Sequence, residues 1–380
     1  MSALPPLVGH DDVQRALGQA IEQGQLPGSL LFHGPAGIGK QRLALWLAQT
    51  LVCEQPRAAQ PCGRCHSCHL ALHLEHPDIH WFFPLPRPKG SADRLADALE
   101  EARAAELANR RAEPFRPVLP GELAGIYLAQ VQTLRRLAIA RPAMGKRKAF
   151  IIGNAEGLVS QEASTEAANA LLKVLEEPPS DTVFILTASD PDELLPTIRS
   201  RVLPIRVRPL SDEVVANVIT EVTNADPQAA RLAARLSEGS IGRALAFLPN
   251  DGEPGPLEDL RIHARSLLDA ALAPKATDRL IAALSTAPAG ARAHFVDTLD
   301  LLALWIRDLA AVTDNALDAV VNVDAIDHLR TLAARLPAAS RGAADALRSI
   351  DLARGMTRFN MNPQLILTWL LRDVGTSLHL

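Results

Sequence analysis

Ser29-Leu30-Leu31-Phe32-His33-Gly34-Pro35-Ala36-Gly37-Ile38-Gly39-Lys40-Gln41 joins a short apolar run to a glycine-rich turn and then to a helical pattern that runs to Leu51. Strand, glycine-rich turn, helix is the context in which a phosphate loop forms. The glycines let backbone N–H groups wrap phosphate oxygens, and the lysine reaches the outer pair. Gly34, Gly37, Gly39 and Lys40 are therefore the candidate nucleotide-binding residues. Two further runs, Ala149-Phe150-Ile151-Ile152 and Val183-Phe184-Ile185-Leu186, read as buried strands. The helix between them carries Ala168, Leu171, Leu172 and Leu175 on one face and stops at Pro178-Pro179. Apolar runs alternating with helices predict a parallel α/β domain over residues 1 to about 207.

The loop lacks what ATP hydrolysis needs. A serine or threonine after the lysine would ligate Mg²⁺, and the position holds Gln41. A strand ending in Asp-Glu would serve the metal and the attacking water, yet Phe150-Ile151-Ile152 ends in Gly153-Asn154. Glu156 lies two residues further on and is given neither role. Nucleotide binding is expected to be weak or absent, and turnover absent.

Residues 84 to 121 read as an insertion. Pro84, Pro86 and Pro88 open it, Pro114, Pro117 and Pro120 close it, and a charged helix from about Asp93 to Arg111 lies between. Alternating Glu and Arg suit a solvated helix, so the insertion is expected to be peripheral and without chemistry. From about residue 208 the strand signals cease. Residues 208–250 suit a small helical domain, ended by the linker 249–256. In the helical remainder, 256–380, Phe295, Leu299, Leu302, Ile306 and Leu309 form one stripe, and Asn362-Pro363 reads as cap and first turn of the last helix.

All four cysteines fall in Cys53-x8-Cys62-x2-Cys65-x2-Cys68. Four thiolates at two-residue gaps can turn onto one tetrahedral zinc, a closed shell with no position left for catalysis. A cluster this local would staple little of a long chain as disulfides. His66, His69 and His73 are nearby alternative ligands. Further on, Arg201 follows the strand 183–186 by a short helical passage and could project from the rim of the sheet. Read from position alone, it is a solvated arginine or a finger for a neighbour's phosphate. Arg141, Lys146, Arg147 and Lys148 form a basic turn that could meet nucleic-acid phosphates or simply be solvated. The net charge of −4 decides nothing about partners. The amino-terminal residues carry no secretory pattern and no apolar run reaches membrane length, so a soluble cytoplasmic protein is expected.

Together these residues closely resemble the clamp-loader branch of AAA+ proteins, and within it the delta-prime family of bacterial DNA polymerase III. The resemblance covers the whole first domain. It rests on the phosphate loop, on the cysteine module followed by His76-Pro77-Asp78, and on Ala168-Asn169-Ala170-Leu171-Leu172-Lys173-Val174-Leu175-Glu176-Glu177-Pro178-Pro179. Thr187-Ala188-Ser189 falls where the family places a sensor, and Ser200-Arg201-Val202 matches its Ser-Arg-Cys motif with Val in place of Cys. Asn360-Met361-Asn362-Pro363-Gln364-Leu365 resembles the closing helix of the family's collar. The resemblance implies an AAA+ P-loop α/β domain (1–207) with a structural zinc module at about 53–68, a helical lid (208–250) and an all-α collar (256–380). It also implies that Arg201 is an arginine finger acting in trans, and that the chain is a stator, neither polymerase nor ATPase. The implied partners are the motor (gamma/tau) and delta subunits, with the sliding clamp and primer-template DNA met through the complex and no membrane. The alternative is the ATP-hydrolysing motor subunit. Gln41, Gly153 and Asn154 weigh against it, and so does Gly239-Ser240-Ile241-Gly242-Arg243, which sets the lid arginine one residue off the family's position. On a helix that shift is a rotation of about 100°. A stand-alone zinc nucleic-acid binder lacks the basic and aromatic groove it would need.

Overall fold

The computed structural model describes residues 4–58, 60–88, 94–115, 124–159, 165–249, 252–285, 292–357 and 361–379. The chain divides into two compact units. One comprises Met1–Arg116, Glu122–Val214 and Gly239–Ile241; the other takes Val215–Glu238 and Gly242–Leu380.

The first unit runs α1 (Asp11–Glu22), β1 (Ser29–His33), α2 (Lys40–Val52), α3 (His66–Leu72), β2 (Ile79–Phe82), β3 (Leu85–Pro86), α4 (Leu95–Ala112), β4 (Ala124–Gly125) and α5 (Leu128–Ile139). It continues with β5 (Lys148–Ile152), α6 (Thr165–Glu176), β6 (Thr182–Ala188), α7 (Pro196–Arg199) and β7 (Leu203–Arg206). Five strands pair in the order β2-β5-β6-β1-β7, all parallel. Successive strand residues face opposite ways, so an unbroken apolar run fills two cores at once. Leu30, Phe32, Ala149, Ile151, Val183 and Ile185 pack on one side with Leu43, Ala44, Leu47 and Ala48 of α2. Leu31, Phe150, Ile152, Phe184 and Leu186 pack on the other with α5 and α6. The buried face of α6 is Ala167, Ala168, Leu171, Val174 and Leu175, whereas Leu172 sits partly buried at its margin. Val174, three residues beyond Leu171, takes the place that the sequence reading gave to Leu172, one position round the helix.

The insertion is not peripheral. Its helix α4 buries Leu99 completely and packs Leu95, Ala102 and Leu107 on the core shared by β1 and α2. The charged residues occupy the rest of the helix, partly in local pairs such as Arg103–Glu100 (2.7 Å) and Arg110–Glu106 (3.0 Å). Arg103 and Arg110 also lie over aromatic rings of the sheet edge, Arg110 at 3.9 Å from the Phe83 centroid and 4.9 Å from that of Trp81. The alternation of charge hid an apolar stripe at helical spacing. The antiparallel pair β3–β4 draws the two ends of the insertion together. Asp93, Pro117 and Pro120 of the expected insertion lie outside the described residues.

The division between units falls within α8 (Asp212–Thr223). Thereafter the second unit is helical, with α9 (Pro227–Leu236), α10 (Ile241–Phe247), α11 (Pro256–Ala271), α12 (Ala276–Ser285), α13 (Arg292–Thr313), α14 (Ile326–Arg335), α15 (Ala339–Thr357) and α16 (Pro363–His379). The stripe expected on α13, from Phe295 to Leu309, is buried, and the Asn362 side chain caps α16 by accepting from Gln364 N–H at 2.9 Å. α15 and α16 approach so closely at Gly342 that a Cβ there would stand 1.8 Å from the Ser377 carbonyl oxygen. Arg261 is buried and bonded to Glu258, Asn322 and Asp324 at 2.7–2.9 Å, a fully paired charge inside the helical packing. No described helix is long and apolar enough to cross a membrane.

The turn between α5 and β5 is organised from a distance. The buried Asp78 carboxylate accepts N–H bonds from Ala143, Met144 and Gly145 at 2.6, 2.8 and 2.8 Å. Burial alone would raise its pKa, but the three donors outweigh burial and hold it below the ordinary 3.8. Its stabilising effect is therefore present above 3.8 and lost as pH falls through the lowered value. Asp78→Ala is expected to cost about 3 kcal/mol at neutral pH. Urea unfolding of variant and wild type should differ least at the acid end, and an acid-independent difference would refute this account.

Candidate functional site

The phosphate loop leaves β1 at its carboxyl end, where the parallel sheet opens a crevice. Gly34 has φ 146°, and a Cβ there would meet the Val207 carbonyl oxygen at 2.3 Å. The loop closes on its own lysine: Lys40 Nζ donates to the Gly34 and Pro35 carbonyls, both at 2.6 Å. Burial pushes this lysine down to about 8, with Glu156 opposing. Ser240 Oγ donates to the Gly37 carbonyl at 3.0 Å, and Gly39, at φ 95°, opens α2 beside His10. Gly34, Gly37, Gly39 and Lys40 are thus brought together as the sequence implied.

The metal half of the site is occupied by protein. Gln41 Nε2 donates to Asn154 Oδ1 at 2.9 Å, joining the residue after the lysine to the second residue beyond β5. Gln41 Oε1 accepts from Arg110 Nη1 at 2.9 Å. A Cβ at Gly153 would lie 2.9 Å from the Gln41 amide, so the glycine makes room for it. Asn154 N–H donates to Thr187 Oγ1 at 3.0 Å, which ties in the end of β6. Two neutral amides that satisfy each other offer a divalent cation neither a hydroxyl nor a carboxylate, so the residues present do not fit Mg²⁺. Glu156 is the carboxylate nearest in sequence; burial raises its pKa, and it accepts from Ser189 N–H.

At the far end of α2, Cys53 meets the loop 62–68. The four sulfur atoms lie within 4.8 Å of one another, all as free thiols. Cys53–Cys65 and Cys62–Cys68 are 3.9 and 4.0 Å apart, close to the edge of about 3.8 Å that a tetrahedron of 2.3 Å metal–sulfur bonds requires. Backbone N–H groups of Cys62, Cys65 and Cys68 donate to the sulfurs of Cys53, Cys62 and Cys65 at 3.3–3.4 Å. N–H donors of Arg64 and Cys65 pull the Cys62 thiol down to about 6, whereas burial pushes Cys68 up. Glu54 accepts from Ser67 N–H and Oγ, both at 3.0 Å, and anchors the start of α3. The cluster can hold one metal ion.

Arg201, just past α7, lies on the surface but is not loose. Its Nε donates to Glu176 Oε2 at 3.0 Å and its Nη1 to the Thr197 carbonyl at 3.0 Å. Nη2 makes no hydrogen bond among the described residues, so one edge of the fork is held and the other is presented. The basic turn needs a correction. Lys148 is 2% exposed, and its ammonium donates to the carbonyls of Leu137 (3.0 Å), Ala138 (2.9 Å) and Ala140, capping the end of α5. It cannot meet phosphates, because leaving would strip a buried charge of its acceptors. Arg141 and Lys146 are exposed and Arg147 half-buried. Arg243 pairs with Asp297 at 3.1 Å within the helical unit. Sequence reading missed Arg110 and Glu176. Nothing in the spacing of Arg110 reveals its target 69 residues away; Glu176 was quoted as part of a motif but given no role.

The fold and site define a class: a P-loop α/β protein whose metal position is filled by its own side chains and whose loop helix carries a cysteine cluster. Residues 9–211 match the family described as DNA polymerase III, delta subunit, and the chain belongs to that family, as a delta-prime-like clamp-loader subunit. It is 36% identical to DNA polymerase III subunit delta′ of Pseudomonas aeruginosa over 171 residues, 45% of this chain and 40% of that protein. With subunit delta′ of Escherichia coli it shares 30% over 291 residues, 76% of this chain and 72% of the relative. With subunit gamma/tau of Mycobacterium tuberculosis it shares 29% over 353 residues, 87% of this chain and 54% of the relative. Among solved structures, a DNA polymerase III gamma subunit-related protein of Thermotoga maritima aligns over 96% of this chain and 99% of its own, at TM-score 0.38 and 16% identity.

The cysteine geometry has a direct test. Purified chain should carry about one metal ion held by four sulfurs. Cys65→Ser should release the ion and expose the segment around α3 to protease, while the circular dichroism of the sheet persists. Metal retention at full stoichiometry in that variant would show that the four cysteines do not act as one shell.

Proposed function

We propose that this chain is a stator of a DNA polymerase III clamp loader, which has given up its own ATP chemistry and donates Arg201 in trans to a neighbouring subunit's site. The observation that carries this reading is the bonded amide pair Gln41–Asn154, which stands where a working site would hold a metal ligand and the residue that serves the attacking water. Held by Glu176 and Thr197, Arg201 keeps its outer nitrogen free for a neighbour. A planar guanidinium bonded to γ-phosphate oxygens neutralises charge as the terminal bond breaks. The ion in the Cys53-Cys62-Cys65-Cys68 cluster is zinc, structural and closed to substrate. In the same reading residues 1–207 are an AAA+ domain, 208–250 a lid and 256–380 a collar that joins gamma/tau and delta subunits. The assembly, working in the cytoplasm, places the sliding clamp on primer-template DNA, and Arg141 and Lys146 are the basic residues exposed to that strand.

A motor-subunit reading draws on the similarity to gamma/tau over 87% of the chain. It requires a metal site, which Gln41 and Asn154 deny it.

Arg201→Ala should leave the chain folded and the ring assembled, since a surface change costs within about 0.5 kcal/mol. Steady-state ATPase of the reconstituted ring with clamp and primed DNA should fall in part, because fingers in trans are worth roughly 10³ or more at the one site affected. Arg201→Lys should not restore it, lacking the planar fork. Unaltered ATPase and loading in rings of verified equal assembly would remove the finger role.

A further inference from the structure

We propose that the insertion helix α4 is a plug for the phosphate-loop site, with the Arg110 guanidinium serving as a fixed, protein-borne cation in the place of a divalent metal. This rests on the geometry of the loop and not on the role of Arg201. Three observations carry it. Gln41 spends its amide hydrogens on Asn154, so its carbonyl oxygen turns the other way, and the donor it meets there is Arg110 Nη1 at 2.9 Å. That oxygen belongs to the residue whose counterpart hydroxyl takes Mg²⁺ in a competent loop, so a positive charge faces the same ligand position. Arg110 is also fixed in place: its guanidinium lies 3.9 Å from the Phe83 ring centroid and 4.9 Å from that of Trp81, and Glu106 pairs with it at 3.0 Å. Finally, α4 shares one core with α2 through Leu95, Leu99, Ala102 and Leu107, so helix and loop hold their places together.

A resident guanidinium acts on the site in two ways. It consumes the acceptor that a metal would need, and its charge repels an incoming dication. The loop's remaining capacity, its backbone and Lys40, is not metal-dependent. Any polyphosphate this chain takes up is therefore bound without regard to magnesium. The insertion thereby acquires a role: it fills the cation position that the loss of hydroxyl and carboxylate left, and keeps two half-buried amides satisfied.

The test uses the full isolated chain and a fluorescent ATP analogue, titrated in buffer with and without magnesium. Wild type should show no magnesium-dependent binding. The double variant Gln41→Thr/Gly153→Asp restores the hydroxyl and the carboxylate that a metal needs but keeps Arg110. Adding Arg110→Met removes the charge and retains an apolar stem over the two rings. Magnesium-dependent affinity should be at least about tenfold greater with Arg110→Met added than without it, the factor expected when a like charge beside the ion is removed. The plug is refuted by magnesium-dependent binding in wild type, by equal affinity of double and triple variants, or by a triple variant that gains none. Thermal midpoints provide a second measurement that does not depend on nucleotide. Arg110→Met and Gln41→Ala should together lower the midpoint by less than the sum of their separate effects. Strict additivity would show that the two side chains do not act on each other and would also overturn the proposal.

Discussion

Strand β1 is paired on both edges, with β6 along one side and β7 along the other, and both of its faces are buried. A strand so enclosed cannot slip, because a one-residue change of register would turn every buried side chain to the wrong face. Its end therefore delivers Gly34 and Lys40 to a fixed place, and α2 begins there. Thirteen helical residues, about 20 Å at the usual rise, then carry the chain to Cys53. The phosphate loop and the cysteine cluster are thus the two ends of a single rigid element.

The loop has kept its shape while losing its substrate chemistry, and the bonding explains how. A phosphate loop is a concave array of donors that is ordinarily satisfied by an anion. Here Lys40 turns inward to loop carbonyls, and Gln41, Asn154, Thr187 and Arg110 form a chain of hydrogen bonds across the position a metal would need. Buried polar groups are tolerated only when paired, so each lost function is accompanied by a new partner. Gly153 belongs to the same adjustment, since any larger residue would displace the Gln41 amide. Charge is likewise compensated locally at Lys148, where three carbonyls at the end of α5 hold an ammonium that the sequence would have assigned to the surface.

What the sequence determined by itself was whatever depends on neighbours in the chain. The apolar run before Gly34, the glycine spacing of the loop, the two-residue gaps of the cysteine module, and the stripe from Phe295 to Leu309 all act within a few residues. Each was legible as a period or a motif. The absence of a hydroxyl at position 41 and of carboxylates at 153 and 154 was equally plain, and so was its chemical meaning. Tertiary structure decided the rest. That α4 lies on the core, that Arg110 meets Gln41, that Asp78 organises the turn at 143–145, and that Glu176 holds Arg201 are all contacts between segments far apart in sequence. Long charged side chains carry an apolar stem and a polar head, so their pattern alone is compatible with water or with a buried partner. Which of the two prevails depends on the surface brought opposite them, and only the packing of the sheet and its helices brings that surface into place.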